Sequence, residues 1–344
     1  MSRIRDIANI LSGGSSDIAT DAEIPSHVAG KNFIINGNFD FWQRGTTFSV
    51  SGGATTSNYT ADRWSAGVNL GTTISRVSAV NSGSSYGLRI QRNSGNTTTG
   101  DGFINQVLES SMAQMLAGKT VTLSFYLRKG ADFSGAAVYC VPRFGTGTDE
   151  GVANGYSGLW TGHSQLIHTV VPTTTSVRYS KTFTVPAGTK EMMLLMGPQS
   201  MSGTAGANDW IEFEQIQLEV GSIASSFSRS GGDIEGELAK CQRYYQVPPT
   251  AIFLHGYNSS AAGFWWQPPV VMRTAPSASL ATTSPYWESV PYTTIGSLTS
   301  ASLNNTKMTA SGGTIIIAGA YSPSPATSYP SLFNGSNITF SAEL

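Results

Sequence analysis

Cysteine and charge are both scarce in this 344-residue chain. Its two cysteines, Cys140 and Cys241, lie far apart and form no C-x-x-C pair, so their spacing supports neither a zinc cluster nor a disulfide framework. We expect both thiols to be buried or free. Charged residues make up only 12% of the chain, and 20 Lys and Arg nearly balance 21 Asp and Glu. This balance argues against a protein that binds nucleic acid through a broad basic surface.

Long apolar runs are also missing. No uninterrupted stretch reaches the roughly 18 residues needed to span a bilayer, so we expect no membrane insertion. Near the start, Asp6 and Asn9 interrupt the apolar segment that a cleaved signal peptide requires. We therefore expect synthesis in a cytoplasm without export. The abundance of Gly, Ser and Thr instead predicts a surface of hydroxyls and amides, which is typical of a rigid extracellular β-protein.

The first 30 residues predict an attachment arm. Four apolar residues recur at helical spacing, namely Ile4, Ile7, Ile10 and Leu11. A helix this short is marginal alone, so its apolar stripe must contact another surface. Residues 12–30 are rich in Gly, Ser, Asp and Pro, as in an extended linker. The stripe would fix the chain to another protein or to its own copies.

From Lys31 onward the pattern changes to short strands separated by Gly, Asn and Ser, which is typical of a sandwich or barrel. The clearest strand is KTVTLSFYLRK, where apolar residues from Val121 to Leu127 alternate with polar ones. In WIEFEQIQLEV the apolar residues change phase, which predicts a β-bulge near Glu214 and Gln215.

A helix and a second β-region follow. Residues Ile234, Leu238, Cys241 and Tyr245 have helical spacing after a candidate N-cap, Asp233. Pro248 and Pro249 end this helix. The predicted organisation is an arm (1–30), a β-sandwich (31–229), a connecting helix (230–247) and a smaller C-terminal β-domain (248–344).

No catalytic motif has the context that its chemistry requires. Residues 83–87 match G-x-S-x-G, but a strand follows them where a hydrolase needs a helix. A glycan hydrolase would need carboxylates converging in a groove, and the few candidates are Asp149, Glu150 and Asp209. We therefore expect no enzyme activity and no required cofactor.

Aromatic residues are the most informative side chains. Tyr156 and Trp160 stand in a Gly- and Ser-rich loop, where they could contact a glycan or pack the loop itself. Trp265 and Trp266 are adjacent, so on a strand one of them must face outward. These four residues are the predicted glycan-binding residues, with contacts between subunits as the alternative for the exposed tryptophan.

Several sequence blocks, in order, resemble one known family. They are MSRIRDIANIL, NFIINGNFDFWQRGT, YTADRW, LAGKTVTLSFYLR, TFTVPAG, QIQLEVGSIASSFSRS, ELAKCQRYY, VVMRTAPS and FSAEL. The set resembles virion appendage proteins of tailed bacteriophages, such as tail fibres, whose main domain is a jelly roll similar to carbohydrate-binding modules.

The resemblance implies an all-β fold, an antiparallel jelly-roll β-sandwich preceded by a short N-terminal helical arm and followed by a helix and a second, smaller β-domain. Phe33, Ile35, Phe39 and Trp42 would lie in the first strand region, beside a closing strand that contains Leu218 and Glu219. Related jelly rolls hold a structural Ca²⁺, for which the resemblance suggests three oxygen ligands, Asn38, Asp40 and Glu219.

Three functions are open on these grounds. The first is a non-enzymatic tail fibre or receptor-binding protein of the virion that docks by its arm, assembles as a homotrimer and recognises a bacterial surface polysaccharide. The second is a purely structural tail or capsid-decoration protein that binds only other virion proteins. The third, a glycan hydrolase, has the least support.

Overall fold

The computed structural model describes residues 31–50, 54–68, 70–248, 251–258, 261–280, 286–289, 295–322, 331–334 and 338–344. The predicted arm, with Ile4, Ile7, Ile10 and Leu11, lies outside the described residues. The domain boundaries remain predictions. Within the described parts, no helix is both long and apolar enough to cross a membrane.

Two antiparallel sheets face each other and form a jelly-roll sandwich, as the resemblance implied. Sheet I contains, in spatial order, β1 (Thr47–Val50), β4 (Thr72–Ser78), β5 (Tyr86–Arg92), β13 (Trp210–Val220), β7 (Thr120–Lys129) and β11 (Val177–Thr184). Sheet II contains β10 (His168–Val170), β8 (Ala137–Gly145), β12 (Glu191–Gln199), β6 (Gly102–Leu108), β3 (Ser65–Val68) and β2 (Ala54–Tyr59), with β9 (Ser164–Gln165) beside β8.

Alternating side chains build the core between the sheets. In β7, the apolar residues at every second position from Val121 to Leu127 are buried in the main apolar cluster. In β13, the pairing with β7 shifts register between Glu214 and Gln217, and Gln215 has a positive φ of 51°. The predicted bulge is confirmed, because the extra residue returns Ile216 and Leu218 to the core face.

The predicted first strand region is wrong, because residues 31–46 form turns and irregular backbone. Asn36 and Phe39 have φ values of 56° and 55°, which no strand allows. The Asn36 side chain closes the turn, since its Oδ1 accepts a hydrogen bond from Phe41 N (3.1 Å) and its Nδ2 donates to Phe41 O (2.9 Å). The segment still lies beside the closing strand, where Phe33 N donates to Leu218 O at 2.9 Å.

Three helices are described: α1 (Ser110–Leu116), α2 (Val152–Ser157) and α3 (Ile234–Gln242). The Asp233 carboxylate accepts a hydrogen bond from Gly236 N at 2.7 Å, which confirms the predicted N-cap of α3. The predicted apolar stripe is wrong at both ends, because Ile234 is 45% exposed and Tyr245 lies in a strand. The helix instead buries Glu237, whose carboxylate accepts hydrogen bonds from the backbone amides of Asn36 and Gly231.

The C-terminal part forms a second β-region with its own apolar cluster. A small sheet contains β14 (Tyr245–Gln246), β22 (Ile338–Ser341) and β17 (Ser277–Leu280). Six strands close on themselves in the order β15 (Ala251–Asn258), β16 (Ala261–Trp266), β20 (Gly312–Ser322), β19 (Ile295–Thr309), β18 (Tyr286–Ser289) and β21 (Ser331–Asn334).

Candidate functional site: an aromatic row on sheet II

The outer face of sheet II carries aromatic side chains at neighbouring positions of its strands. Val138 in β8 and Ile104 in β6 point into the core, so Tyr139 and Phe103 point outward. Tyr139 is opposite Gly197 in β12, and Phe103 is opposite Gly67 in β3. Across the neighbouring strands β8, β12, β6 and β3, this face therefore carries Tyr139, Gly197, Phe103 and Gly67 in that order.

A third ring completes this row. Tyr156 lies above Gly67, because a Cβ placed on that glycine would be 2.5 Å from the tyrosine ring. The ring centroids of Phe103 and Tyr139 are 5.9 Å apart, and those of Phe103 and Tyr156 are 6.3 Å apart. All three rings are half-buried. We call Phe103, Tyr139 and Tyr156 the aromatic row.

The loop of residues 146–163, which contains α2, places Tyr156 in the row. On sheet II, Arg143 points outward from β8, and its Nη1 donates to Gly155 O at 2.9 Å and to Tyr156 O. Helix α2 lies against β2 and β12 and ends at Gly158, which has a φ of 70°. Burial raises the pKa of Tyr156, so its hydroxyl stays protonated and can donate a hydrogen bond.

Trp160 belongs to the packing of this loop. It is 3% exposed and forms an apolar cluster with Val107, Val152 and Met193. Its Nε1 donates to Gly151 O at 3.0 Å. The prediction of Trp160 as a glycan contact is therefore corrected in favour of its alternative, loop packing, because no face of the ring is open to solvent.

The adjacent tryptophans separate as strand alternation requires. Trp265 is 69% exposed on β16. Trp266 is 6% exposed and stacks on Phe340, with ring centroids 3.8 Å apart and planes at 9°. Trp266 is thus a core residue and not a glycan contact, whereas Trp265 keeps an open ring face. Phe103 and Tyr139 were not among the predicted site residues.

The three carboxylates of the hydrolase hypothesis do not meet at one site, because Asp149 and Glu150 lie near Glu191 whereas Asp209 is buried with Arg92. Asp209 is completely buried against Arg92 and accepts a hydrogen bond from Ser134 Oγ at 2.7 Å. Asp149 Oδ1 accepts hydrogen bonds from the amide (3.2 Å) and the hydroxyl (2.8 Å) of Ser110. Glu150 accepts from the amide (2.7 Å) and the hydroxyl (2.6 Å) of Thr161, which holds the pKa of its carboxyl below the ordinary value.

The three residues suggested for Ca²⁺ already have hydrogen-bond or ion-pair partners. Asn38 Nδ2 is 3.3 Å from Asp40 Oδ1, but Asp40 Oδ2 also accepts from Arg229 Nε at 2.9 Å. Glu219 accepts from the amide of Ser225 at 2.9 Å and forms an ion pair with Lys31 at 3.7 Å. Among the described residues, no group of three or more His, Cys, Asp or Glu is arranged to hold a metal ion. The calcium site remains a prediction from the resemblance.

Both cysteines are buried free thiols, as expected. Burial raises the pKa of Cys140 to about 12, and burial also raises the pKa of Cys241 well above its ordinary value. Because the thiolate is the reactive form of cysteine, neither residue is a nucleophile at neutral pH.

Comparisons with known proteins complete this description. No protein-family model and no curated protein matches the chain. Solved structures similar to it include the enzymatically active domain of tailspike protein 4 of bacteriophage CBA120 (11% identity, 55% of this chain and 21% of that chain, TM-score 0.34). They also include a family 22 carbohydrate-binding module of Clostridium thermocellum (14%, 57% and 99%, 0.34) and a family 16 carbohydrate-binding module (14%, 42% and 84%, 0.29). The chain thus matches about a fifth of the tailspike chain's length, and similarities at this level carry no argument about ligand or activity.

Proposed function

We propose that this chain is a non-catalytic glycan-binding protein and that the aromatic row on sheet II is its binding surface. The observation that supports this most is the meeting of three half-buried rings, Phe103, Tyr139 and Tyr156, on an outer sheet face. The C–H face of a pyranose ring is apolar and its rim carries hydroxyls. Aromatic faces with phenolic hydroxyls at their edges complement both features.

Hydrogen bonding and stacking are the whole of the proposed mechanism. The candidate carboxylates Asp149, Glu150 and Asp209 each serve structural hydrogen bonds, so we propose no catalytic role for them. Among the described residues, no cation lies over the face of a ring in the row. The ring faces are therefore available to an uncharged sugar.

The finer proposal is a bacteriophage virion appendage, such as a tail fibre, that recognises a bacterial surface polysaccharide. It rests on the sequence blocks that resemble such proteins and on the helical spacing of Ile4, Ile7, Ile10 and Leu11. The arm would dock to other virion proteins and join three chains. Each site would bind weakly. Several sites on one particle would still raise the overall affinity, because the first contact raises the effective concentration of the others at the bacterial surface.

One observation favours the second candidate, a purely structural virion protein. Leu159, Ile167 and Val171 are 71%, 59% and 69% exposed within one stretch of the sandwich. Exposed apolar side chains of this kind also form contacts between subunits. A mass of 36.3 kDa in light scattering, and not a multiple of it, would exclude the trimer in either case.

The test is binding of the purified protein to extracted bacterial surface polysaccharides, with Tyr139→Ala beside the wild type. We expect selective binding that Tyr139→Ala weakens by about tenfold, which corresponds to about 1.4 kcal/mol. The matched control is Tyr126→Ala, because Tyr126 is also half-buried and also points outward, but from β7 on the opposite sheet. Equal weakening by both variants, or no binding by the wild type, would contradict the proposal.

A further inference from the structure

Gly67 supports the Tyr156 ring from the sheet. Its neighbour in β3, Ala66, lies in the apolar core, so position 67 points outward on sheet II. A Cβ placed on Gly67 would be 2.5 Å from Cε2 of Tyr156, and 2.8 and 3.0 Å from the two ring atoms bonded to Cε2, which are Cζ and Cδ2. Because this Cβ is nearly as close to both neighbours as to Cε2, it lies over the face of the ring. Tyr156 therefore lies flat on Gly67 and turns its other face away from the sheet.

The strand itself does not require a glycine at position 67. Glycine is needed where φ is positive or where another group approaches the backbone closely. Gly67 is not among the glycines with a positive φ, and it pairs with Phe103 in the ladder between β3 and β6. The three atoms nearest to its absent Cβ all belong to the Tyr156 ring. Carbon atoms in contact are normally about 3.5–4.0 Å apart, so even a methyl group would displace the ring.

Arg143 holds the backbone that carries the ring. It points outward from β8, and its Nη1 donates to the carbonyls of Gly155 and Tyr156, near the end of α2. The last carbonyls of a helix lack partners within the helix, so these hydrogen bonds do not compete with its own. A planar guanidinium donates in fixed directions, and two successive carbonyls held by it fix the course of the backbone. Arg143 thus sets where α2 ends, and Gly67 sets how closely the ring approaches the sheet.

We infer that Gly67 and Arg143 are positioning residues of the glycan site, which together set the Tyr156 ring flat beside Phe103. This inference rests on the proposed function and adds two residues to its site. The ring centroids of Phe103 and Tyr156 are 6.3 Å apart, and the outer face of Tyr156 is the one that a sugar would stack on. Gly67 has no side chain with which to contact a sugar, so any effect that it has on glycan affinity acts through the ring.

Fluorine NMR tests the position of the ring without a ligand. In protein labelled with 3-fluorotyrosine, the Tyr156 signal is the one that Tyr156→Phe removes. We expect Gly67→Ala to shift this signal and to leave the signals of distant tyrosines in place. The matched control is Gly188→Ala, because Gly188 also lacks a positive φ and its Cβ would meet only Thr146, at an ordinary contact distance of 4.0 Å. An unchanged Tyr156 signal in Gly67→Ala would overturn the inference.

Glycan affinity tests the consequence for binding. Oligosaccharides prepared from the surface polysaccharide that the wild type binds are titrated calorimetrically into each variant. We expect Gly67→Ala and Tyr156→Ala each to weaken binding by about tenfold, the contribution of one aromatic contact. The double variant should bind no more weakly than Tyr156→Ala, because the added methyl group then meets no ring. Losses that add in the double variant would overturn the inference while leaving glycan binding intact. A wild type that binds no glycan overturns the proposed function itself.

Arg143 variants test the same placement independently. Arg143→Met removes the two hydrogen bonds to α2, so we expect it to shift the Tyr156 signal and to weaken binding by a similar factor. Arg143→Lys keeps a donor for one carbonyl and should restore part of both. A merely structural role would lower the melting temperature without moving the Tyr156 signal. Melting temperatures show whether each variant is folded, and the Arg143 pair decides if Gly67→Ala does not fold. A folded Arg143→Met with the wild-type signal and affinity would contradict its role.

Discussion

At the scale of single residues, Arg92 organises two loops at one end of the sandwich. Its side chain is completely buried. Its Nη2 donates to the carbonyls of Thr98 (2.8 Å) and Gly203 (2.6 Å), and its Nη1 donates to Ser202 O (3.0 Å). The same nitrogen pairs with buried Asp209 at 3.3 Å. Buried charges are costly unless they are paired, so this arginine and its aspartate depend on each other.

Arg92→Met should destabilise the protein by about 3–5 kcal/mol, because it leaves the Asp209 carboxylate buried without its cation. Urea denaturation measures the change in the free energy of unfolding. The matched control is Arg89→Met, since Arg89 is partly exposed and its partner Glu212 retains Arg128. That variant should lose about 1 kcal/mol or less. Equal losses of unfolding free energy in the two variants would mean that burial of an ion pair does not determine its contribution to stability.

The tryptophans show how far sequence predicts the site. The alternation of Trp265 and Trp266 is a local property of one strand, and the structure follows it. Trp160 was misjudged because its burial depends on Val107 and Met193, which are distant in sequence. Phe103 was missed for a related reason. Alternation places its side chain on the face of β6 away from that of Ile104, but only the order of strands in sheet II brings it beside Tyr139.

At the scale of elements, periodicity predicts regular strands and fails where side chains close turns. Strand β7 and the bulge in β13 follow from alternation alone. Residues 31–46 include the first strand region that the resemblance implied, yet the two hydrogen bonds between the Asn36 side chain and Phe41 form a turn. A polar side chain that satisfies backbone groups locally competes with strand pairing, and periodicity does not register that competition.

The stability of the 146–163 loop should depend on pH through Glu191 of β12, whose carboxylate accepts a hydrogen bond from the amide of Glu150. Burial raises the pKa of Glu191, and the neighbouring carboxylates of Glu150 and Asp149 raise it further. The ionised form is thus disfavoured in the folded state, so the stabilisation from the raised pKa is present at acidic pH and is lost as pH rises through that pKa. Glu191→Gln keeps an oxygen for Glu150 N without the charge. We expect its melting temperature to exceed that of the wild type at neutral pH and the difference to shrink toward acidic pH.

Glu109→Gln should show the opposite pH dependence of the melting temperature in the same experiment. Burial acts to raise the pKa of Glu109, but hydrogen bonds from Arg243 and Tyr244 outweigh it and hold the pKa below its ordinary value. Its stabilisation is present above the ordinary pKa of glutamate and is lost as pH falls. Glu109→Gln should therefore lower the melting temperature at neutral pH. A parallel pH dependence of both variants would contradict the assignment of Glu191.

At the scale of the whole molecule, the sequence blocks that carry the family resemblance meet at the junction between the sandwich and the C-terminal part. Arg63, from YTADRW, is buried, pairs with Glu343 of FSAEL and lies 3.5 Å from the ring centre of Tyr244 in ELAKCQRYY. Arg44 pairs with Glu343 at 3.1 Å, and Arg273 Nη2 donates to Glu343 O at 3.0 Å. The blocks that carry the resemblance therefore include residues that hold the sandwich and the C-terminal part together, whereas the aromatic row lies outside these blocks.

Glu343→Gln should uncouple the two parts of the molecule. It leaves buried Arg63 without its carboxylate, and breaking a buried pair costs about 3–5 kcal/mol. Because this pair joins the sandwich to the residues that follow β22 of the C-terminal sheet, the loss should fall on the coupling between the two parts. Calorimetry should show one unfolding transition in the wild type and two in the variant, the first from the C-terminal part. The control is Glu235→Gln, the same change at an exposed glutamate of α3, which should leave a single transition. A single but lowered transition in Glu343→Gln would mean that the apolar contacts of Leu344 with the cluster around Trp160 are enough to couple the two parts.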